Sequence, residues 1–312
     1  MSSYWKDKKV LVTGGSGFVG HYLGKKLNSV VKHLTLSDRG QCDLLNLKQT
    51  RDYFARLDPD VVIHLATYHG GVLLNKEKPA DLLYQNAVMN LNVVDASARV
   101  GIRKLVIVSA ACAYPEEVNN PIKESNLWAG LPHESISSYG VTKRYVTVMA
   151  SAYRKQYGLN YIFLIFPTMY GPMDSFDLQN SHVVSALIRK FVEAKKNHAK
   201  EVVLWGTGLP IREVIYVEDA ADAIILATKR YSSPTPLNMG ASCGYKIKEI
   251  AQIIKGKVDF KGSVLWDKTK PDGQRKRILD SSTAEKLLGW LPKVDLRAGV
   301  DKTVDWYLKN PQ

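Results

Sequence analysis

Short apolar runs alternate with helix-patterned segments over the first two-thirds of the chain. Five runs rich in Val, Ile and Leu are continuous rather than alternating, which is typical of strands buried on both faces of a parallel sheet. They are KKVLVTG, HLTLS, DVVIHLA, KLVIVSA and YIFLIFPT. Helical patterns lie between them, most clearly at Pro79–Val100 and Ser135–Tyr157. This alternation predicts an α/β protein with a doubly wound parallel sheet.

The pattern is more mixed in the last third. We expect a helix near Ser181–Ala199, strands at EVVLWG and EVIYVEDA, and a basic, loop-rich tail from Ser232 onward. The change of pattern suggests a first domain over residues 1–168, with a later return of the chain near residues 213–240. A smaller, discontinuous second domain would take mainly residues 169–312.

The composition is that of an ordinary globular protein, with 45% hydrophobic and 23% charged residues among 312. No apolar run approaches the roughly 18 residues of a membrane span, and the start MSSYWKDKK lacks the apolar core of a signal peptide. The three cysteines have neither metal-binding nor paired spacing. We therefore expect free thiols, no membrane association and a cytoplasmic location.

The net charge of +13 admits nucleic acid, a membrane surface or a phosphorylated small molecule as partner. Basic residues are dispersed, with modest clusters at Arg189–Lys200 and Lys268–Arg277, and no nucleic-acid-binding motif accompanies them. An anionic small molecule is the favoured partner and nucleic acid is not expected, although the charge could also serve solubility alone.

A glycine-rich turn, TGGSGFVG, follows the first predicted strand. Gly15, Gly17 and Gly20 match the dinucleotide fingerprint. Gly14, Gly17 and Gly20 are also spaced three residues apart. Glycines permit a tight turn and close approach to a pyrophosphate, and the following helix offers its N-terminal amides to that charge. The strand–turn–helix context predicts a Rossmann-type dinucleotide domain at residues 1–168, which leaves substrate binding mainly to the second domain.

The choice between NAD and NADP rests on LSDRGQCDL, after the second predicted strand. Asp38 lies 18 residues past Gly20 and could hold a ribose 2′-hydroxyl, which favours NAD. Arg39 could face a 2′-phosphate, which favours NADP. Asp43 could approach the adenine. Each of these side chains could equally be an ordinary solvated charge in a turn.

The segment SSYGVTK places Tyr139 and Lys143 four residues apart, on one face of the predicted helix. A free tyrosine has a pKa of about 10, and a nearby ammonium group is expected to lower it toward neutrality. Such a tyrosine can donate or accept the proton that accompanies hydride transfer at a carbinol carbon.

With this pair the chain resembles the extended short-chain dehydrogenases/reductases that modify nucleotide sugars. It is most similar to the GDP-L-fucose synthases, which epimerise C3 and C5 of GDP-4-keto-6-deoxymannose and reduce C4 with NADPH. The resemblance covers nearly the whole chain. Besides TGGSGFVG and YGVTK, it is carried by YHGGVLLNKEKPADLLYQN, CAYPEE, YGPMDSFDLQNSHVVSALIRKF, VVLWGTGLPIREVIYVEDAA and KPDGQRKRILD.

The resemblance favours NADP(H) as cofactor, with NAD(H) possible. The residues expected at the cofactor are Gly14, Gly15, Ser16, Gly17, Phe18, Val19, Gly20, Asp38, Arg39, Asp43, Leu44, Leu65, Ala66, Tyr139 and Lys143. It further implies that Cys112 and His182 are the acid–base pair of epimerisation, because removing and replacing an α-proton on opposite faces needs two groups. A thiol and an imidazole can both serve near neutral pH.

Two positions depart from the family pattern. Where relatives carry a Ser or Thr that hydrogen-bonds the substrate oxygen, four residues before Tyr114, this chain has Ala110. The neighbouring Ser109 could take over catalysis only if the strand is locally shifted, since adjacent strand residues face opposite sides. Losing such a donor can cost about 3 kcal/mol of transition-state stabilisation, so the departure bears on reduction more than on epimerisation. Thr168 stands where relatives commonly have Asn, which suggests a different sugar.

The resemblance places substrate contacts on the later segments. They are Asn180, Arg189, Lys190, Trp205, Arg212 and Arg277. Arginine binds phosphate bidentately and lysine binds it as a point charge, and only one of Arg189 and Lys190 is expected to reach the ligand. Asn86 could shape the water network of the site or be an ordinary helix cap.

The first hypothesis is therefore an NADP(H)-dependent reductase with 3,5-epimerase activity toward a GDP-4-keto-6-deoxy hexose or heptose, working as a homodimer. In it, Tyr139 protonates the C4 oxygen and Lys143 orients the cofactor ribose. The second hypothesis is a redox-neutral, NAD-retaining epimerase, which Asp38 supports. The third is a catalytically poor nucleotide-binding sensor, which Ala110 supports.

Overall fold

The computed structural model describes residues 4–178, 181–270 and 272–311. Its strands are β1 Lys9–Thr13, β2 His33–Ser37, β3 Val61–His64, β4 Lys104–Ala110, β5 Tyr161–Phe166, β6 Thr168–Tyr170, β7 Glu201–Trp205, β8 Ile211–Arg212, β9 Val214–Tyr216, β10 Leu237–Asn238, β11 Tyr245–Lys246, β12 Ser263–Asp267 and β13 Lys276–Arg277. Its α-helices are α1 Phe18–Leu27, α2 Leu47–Leu57, α3 Val72–Glu77, α4 Pro79–Val100, α5 Ser137–Tyr157, α6 Val183–Lys196, α7 Val217–Arg230, α8 Ile247–Val258, α9 Ser282–Leu288 and α10 Leu296–Lys309. Short 3₁₀ helices cover Ala111–Ala113, Glu124–Trp128 and Glu134–Ile136.

The central sheet has six parallel strands in the order β10-β5-β4-β3-β1-β2. The predicted Rossmann-type doubly wound sheet is therefore confirmed. β2 lies on one side of β1 and the later strands lie on the other, so the strand order reverses between β1 and β3. In such sheets ligands bind in the crevice at the carboxyl ends of the strands beside this switch point. The fold thus fixes where a site belongs before any side chain is considered.

Both faces of the sheet are covered, which explains the continuous apolar runs. Along β1, Val10 and Val12 pack in one core with residues of α1, α7 and α9. The intervening Leu11 points into a second core with residues of α2, α4 and α5. Because successive strand side chains face opposite sides, a strand buried on both sides shows no polar alternation.

The predicted loop-rich tail from Ser232 is wrong. The segment contains α8, α9 and α10, and α8 and α10 bury Ile250, Ile254, Val300 and Val304 against α6 in a third core. Their apolar stripes were hard to see because α8 and α10 are short and rich in charged residues on the other face. Residues 237–238 return to the central sheet beside β5, whereas the predicted domain boundary at residue 168 stays a prediction.

The described residues contain neither a membrane span nor a metal-binding cluster. Among the described residues, no helix combines the length and the apolar character that a bilayer crossing requires. The described residues also include no group of three or more His, Cys, Asp or Glu side chains placed to hold a metal ion.

A buried hydrogen bond ties the returning strand β10 to the segment after β4. The Tyr114 hydroxyl donates to Asn238 Oδ1 at 2.7 Å, and Asn238 Nδ2 donates to the carbonyls of Ile122 at 2.9 Å and Asp280 at 3.1 Å. Asn238 therefore connects three separate segments from inside the core.

We predict that Tyr114→Phe lowers the free energy of unfolding by about 1–3 kcal/mol, because it leaves the buried Asn238 oxygen without its donor. Urea unfolding followed by circular dichroism measures the change. Tyr157→Phe is the matched control, since Tyr157 is 55% exposed, and it should stay within about 0.5 kcal/mol of the parent. Equal stability of both variants would contradict the assigned role of the Tyr114 hydroxyl.

Candidate active site

A cleft of about 810 Å³ opens at the carboxyl ends of β1, β3 and β4. One wall comes from the glycine turn and the loop after β3, and another comes from the turn after β4 and the start of α5. The third is contributed by the later part of the chain, through residues within 167–175, 181–183 and 205–212 and through Arg277. The cleft therefore lies at the switch point and is completed by both parts of the chain.

The glycine turn packs so closely against neighbouring backbone that side chains at its glycines would not fit. Gly14 has φ of 70°, and a Cβ on it would lie 2.8 Å from the Ala66 backbone nitrogen. A Cβ on Gly20 would lie 2.5 Å from the carbonyl oxygens of Gly14 and Gly15. Helix α1 starts without a side-chain cap, so its first amides are available to an anion, as a dinucleotide pyrophosphate requires.

Most of the predicted cofactor residues line this cleft. They are Gly14, Gly17, Phe18, Val19, Gly20, Leu65, Ala66, Tyr139 and Lys143. Gly15 instead packs against the Leu36 backbone and Ser16 lies exposed on the turn. Leu44 is buried in the core with α2 and α4, so only its backbone could face a cofactor.

The charges after β2 differ in their availability. Asp38 Oδ1 accepts hydrogen bonds from the Gly40 amide at 2.9 Å and the Gln41 amide at 3.2 Å, so this carboxylate is engaged by its own turn. Arg39 has a 78% exposed side chain, and its Nε lies 3.9 Å from Asp43 Oδ1. Arg39 is largely exposed and its contact with Asp43 is long, so its guanidinium stays accessible to a ligand, whereas Asp38 Oδ1 is bound within its own turn.

Tyr139 and Lys143 lie one turn apart on α5, with Lys143 Nζ 5.3 Å from the centroid of the Tyr139 ring. Burial raises the pKa of Tyr139, neighbouring Cys112 raises it further, and the Thr67 hydroxyl opposes the rise. Burial lowers the pKa of Lys143 to about 8, while Cys112 acts in the opposite direction. The expectation that Lys143 brings the tyrosine pKa toward neutrality is wrong for this geometry, because desolvation outweighs the attraction.

Cys112 and His182 both line the cleft, as the acid–base hypothesis requires. Cys112 is buried in the 3₁₀ turn after β4, and burial raises its pKa although Arg277 and Lys143 lower it. His182 is the residue before α6, and burial, followed by the charge of Arg277, lowers its pKa. At neutral pH the cleft therefore holds a protonated thiol and a neutral imidazole, a potential acid and a potential base.

Ser109 does not meet the condition set for a catalytic role. The strand shows no local shift, since Ser109 pairs with Ile165 and Ala110 with Phe166 in regular parallel register. The Ser109 hydroxyl is buried and donates to the Lys143 carbonyl at 3.1 Å. It serves to attach β4 to α5, and β4 offers no free hydroxyl at its end.

Two arginines form the basic wall of the cleft. Arg212 and Arg277 are register partners on the adjacent strands β8 and β13. Burial lowers the pKa of both, to about 9 for Arg212, and the charge of Arg277 contributes to the shift at Arg212. Neither forms an ion pair with a carboxylate of the described residues. Two adjacent, partly buried guanidinium groups with no direct carboxylate partner favour an anion, although the Asp272 carboxylate acts on Arg212 from nearby.

The other predicted substrate residues are placed less directly. Trp205 lines the cleft, and Lys190 stands behind it with Nζ 5.8 Å from the indole centroid. Arg189 faces away, because it pairs with Glu193 at 2.6 Å and donates to the Phe176 carbonyl. Asn180 lies outside the described residues. Thr168 lines the cleft.

The loop after β3 supplies residues that the sequence reasoning missed. His69 lines the cleft and stacks on His182, with ring centroids 5.5 Å apart and planes at 28°. Burial lowers the pKa of His69, and the charges of His182 and Lys143 lower it further. Thr67 also lines the cleft. The sequence signal that could have identified them is their position directly after β3, a strand beside the switch point.

Asn86 is neither a helix cap nor a lining residue. It lies inside α4, 2% exposed, and its side chain holds the loop after β3. Oδ1 accepts from the Thr67 hydroxyl at 2.8 Å and the Tyr68 amide at 2.9 Å, and Nδ2 donates to the Tyr68 carbonyl at 2.7 Å. This clamp fixes Thr67 beside Tyr139.

Comparison with known proteins places this geometry in context. Residues 10–240 match the model of the NAD dependent epimerase/dehydratase family. A probable GDP-L-fucose synthase 1 of Oryza sativa subsp. japonica is 38% identical, over 99% of this chain and 95% of its own length. Among solved structures, a GDP-mannoheptose C4 reductase from Campylobacter jejuni with NADP bound is 28% identical with a TM-score of 0.87, over 98% of this chain and 100% of that chain. A GDP-L-fucose synthetase from Naegleria fowleri bound to NADP is 25% identical with a TM-score of 0.90, over 99% and 96%.

Proposed function

Because the chain belongs to the NAD dependent epimerase/dehydratase family, we propose that it is an NADP(H)-dependent reductase and epimerase of a GDP-4-keto-6-deoxy sugar. The observation that carries the proposal is the content of one cleft. Beside the glycine turn, it holds the Tyr139–Lys143 pair of a reductase together with Cys112 and His182, the two groups of an epimerase.

NADP(H) fits the cofactor end of the cleft better than NAD(H). The uncapped start of α1 offers amides to a pyrophosphate, Asp38 Oδ1 is bound within its own turn, and the largely exposed Arg39 guanidinium is accessible to a 2′-phosphate. The two structural relatives named above carry NADP. When bound, NADPH supplies the hydride for the carbonyl carbon.

Tyr139 gives the proton in the reduction step. Its raised pKa keeps the phenol protonated at neutral pH, so it can donate to the C4 oxygen of a ketone as that oxygen becomes an alkoxide. Lys143, one turn along the helix, stays largely cationic and stabilises the phenolate that remains.

Cys112 and His182 perform the epimerisation. The neutral His182 imidazole takes a proton from the carbon next to the ketone, and the protonated Cys112 thiol returns one to the other face. Each carbon–hydrogen bond that breaks is replaced by one that forms, so this part of the reaction is redox-neutral. Cys112 must remain a free thiol, which fits a reducing cytoplasmic compartment.

Arg212 and Arg277 hold the diphosphate of the substrate, with Trp205 beside them. GDP is the nucleotide in the names of all three relatives described above. Those relatives act on a hexose or a heptose, and the cleft is compatible with either sugar. Arg189 does not take part, because it points to Glu193.

A homodimer formed through α4 and α5 completes the proposal. These two helices pack against each other and leave large apolar side chains exposed on their outer faces. They are Leu83, Tyr84, Leu91, Val141, Tyr145 and Val148. Such a patch marks a protein interface.

Sedimentation velocity should show a dimer that Val148→Asp converts to monomer, and a monomeric parent protein would refute this surface as a self-association site.

The decisive assay incubates the protein with GDP-4-keto-6-deoxymannose in deuterated water, with and without NADPH. We expect NADPH oxidation together with deuterium at C3 and C5. Cys112→Ser should suppress deuterium uptake by about a hundredfold and spare reduction of an already epimerised ketone, because the phenol is intact. Equal loss of both activities would contradict this division of labour, and deuterium without NADPH oxidation would instead support a redox-neutral epimerase.

The rate of deuterium uptake should depend on pH as a bell. Uptake falls on the acid side when His182 becomes protonated, and its lowered pKa puts that limb below the ordinary value of 6.5. It falls on the basic side when the thiol ionises, and the raised pKa of Cys112 puts that limb above the ordinary value of 9.0. An acid limb above pH 6.5 would be inconsistent with a buried His182 base.

A further inference from the structure

The end of β4 lacks the hydroxyl that a ketone reductase would use beside its tyrosine. Ala110 occupies the last position of the strand, and the Ser109 hydroxyl is committed to the Lys143 carbonyl. Both residues line the cleft, so the deficit lies at the reacting centre itself. Without that donor to the substrate oxygen the reduction depends more strongly on Tyr139, so the groups that position its phenol gain importance.

A hydroxyl is present on the opposite wall. Thr67 follows β3, lines the same cleft and interacts through its side chain with the Tyr139 phenol. Its own position is set by the hydrogen bond to Asn86 Oδ1 at 2.8 Å, and Asn86 is buried within α4. The hydroxyl is thus fixed by Asn86 on the wall of the cleft that also holds the phenol, although it follows β3 rather than β4.

The Asn86 clamp allows the Thr67 hydroxyl to reverse its role. A hydroxyl carries one proton and two lone pairs, so Thr67 can donate to Asn86 while it accepts from the protonated phenol. Once Tyr139 has lost its proton, the Thr67 proton can rotate toward the phenolate. Asn86 Oδ1 then keeps a donor, because the Tyr68 amide lies 2.9 Å from it.

We propose that Thr67 is a positioning residue for Tyr139, which aims the phenol and stabilises the phenolate in a site that lacks the substrate-binding hydroxyl at position 110. This role rests on the proposed reductase function. In the step concerned, the O–H bond of Tyr139 breaks as an O–H bond forms on the C4 oxygen of the substrate, and the hydride comes from NADPH. The Thr67 proton changes direction but stays on Thr67.

Other groups also act on the phenol. Cys112 faces it from the turn after β4 and raises its pKa, and Lys143 lies over the ring from the next turn of α5. Both remain in place when only Thr67 is changed. A difference between a threonine variant and the parent therefore reports the hydroxyl itself.

The kinetic test compares Thr67→Val, which keeps the shape of the side chain, with Thr67→Ser, which keeps the hydroxyl. Thr67→Val should lower kcat for NADPH oxidation by about tenfold or more with KM for the sugar changed less than twofold, and Thr67→Ser should remain near the parent. Adding Ala110→Ser to Thr67→Val should recover much of the lost rate. Equal rates for Thr67→Val and the parent would overturn the proposal.

A second measurement does not depend on the reaction. With 3,5-difluorotyrosine at position 139, whose phenol is more acidic than that of tyrosine, fluorine NMR follows ionisation of this one residue. Thr67→Val should raise the midpoint of that titration and Thr67→Ser should leave it unchanged, since only the former removes the hydrogen bond to the phenolate. An unchanged midpoint in Thr67→Val overturns the role of Thr67. A raised midpoint in a protein that oxidises no NADPH supports Thr67 and rejects the reductase proposal.

Discussion

The close contact between α5 and the turn after β4 is the constraint on which the site depends. A Cβ on Gly140 would strike the Cys112 carbonyl, so only glycine lets the helix approach this far. Arg144 then binds the Ala113 carbonyl through Nε at 3.0 Å and Nη2 at 2.6 Å. The tyrosine, the lysine and the thiol are therefore carried by one rigid unit, and the phenol of Tyr139 and the thiol of Cys112 keep a fixed relation.

The same cleft collects three cationic side chains that form no direct ion pair within the described residues, although Asp174 and Asp272 also line it. Lys143, Arg212 and Arg277 are all held in it, and burial lowers the pKa of each. Burying an unpaired cation costs several kcal/mol, which a structure tolerates where a ligand supplies the opposite charge. A nucleoside diphosphate and a dinucleotide together bring that charge. Part of the chain's net charge of +13 is therefore concentrated in this cleft.

The features visible in the sequence were those with a strong local pattern. The central strands show because two-sided burial makes them continuously apolar, and the Tyr139–Lys143 pair shows because helical spacing puts both on one face. Two-residue strands such as β8 and β13 have no pattern, yet they bring Arg212 beside Arg277. Asn86 and Thr67 were equally hidden, since their importance comes from a contact between α4 and the loop after β3 that spacing does not encode.

The raised pKa of Tyr139 bears on the direction of the reaction. A tyrosine that must take a proton from an alcohol works best as a phenolate, which is why an ammonium group beside it was expected to lower its pKa. Here the cleft desolvates the phenol, and Lys143 lies over the ring, itself with a pKa lowered to about 8. The balance keeps the proton on Tyr139, where a ketone can receive it. Burial therefore sets the protonation state from which this phenol can donate a proton to a carbonyl oxygen.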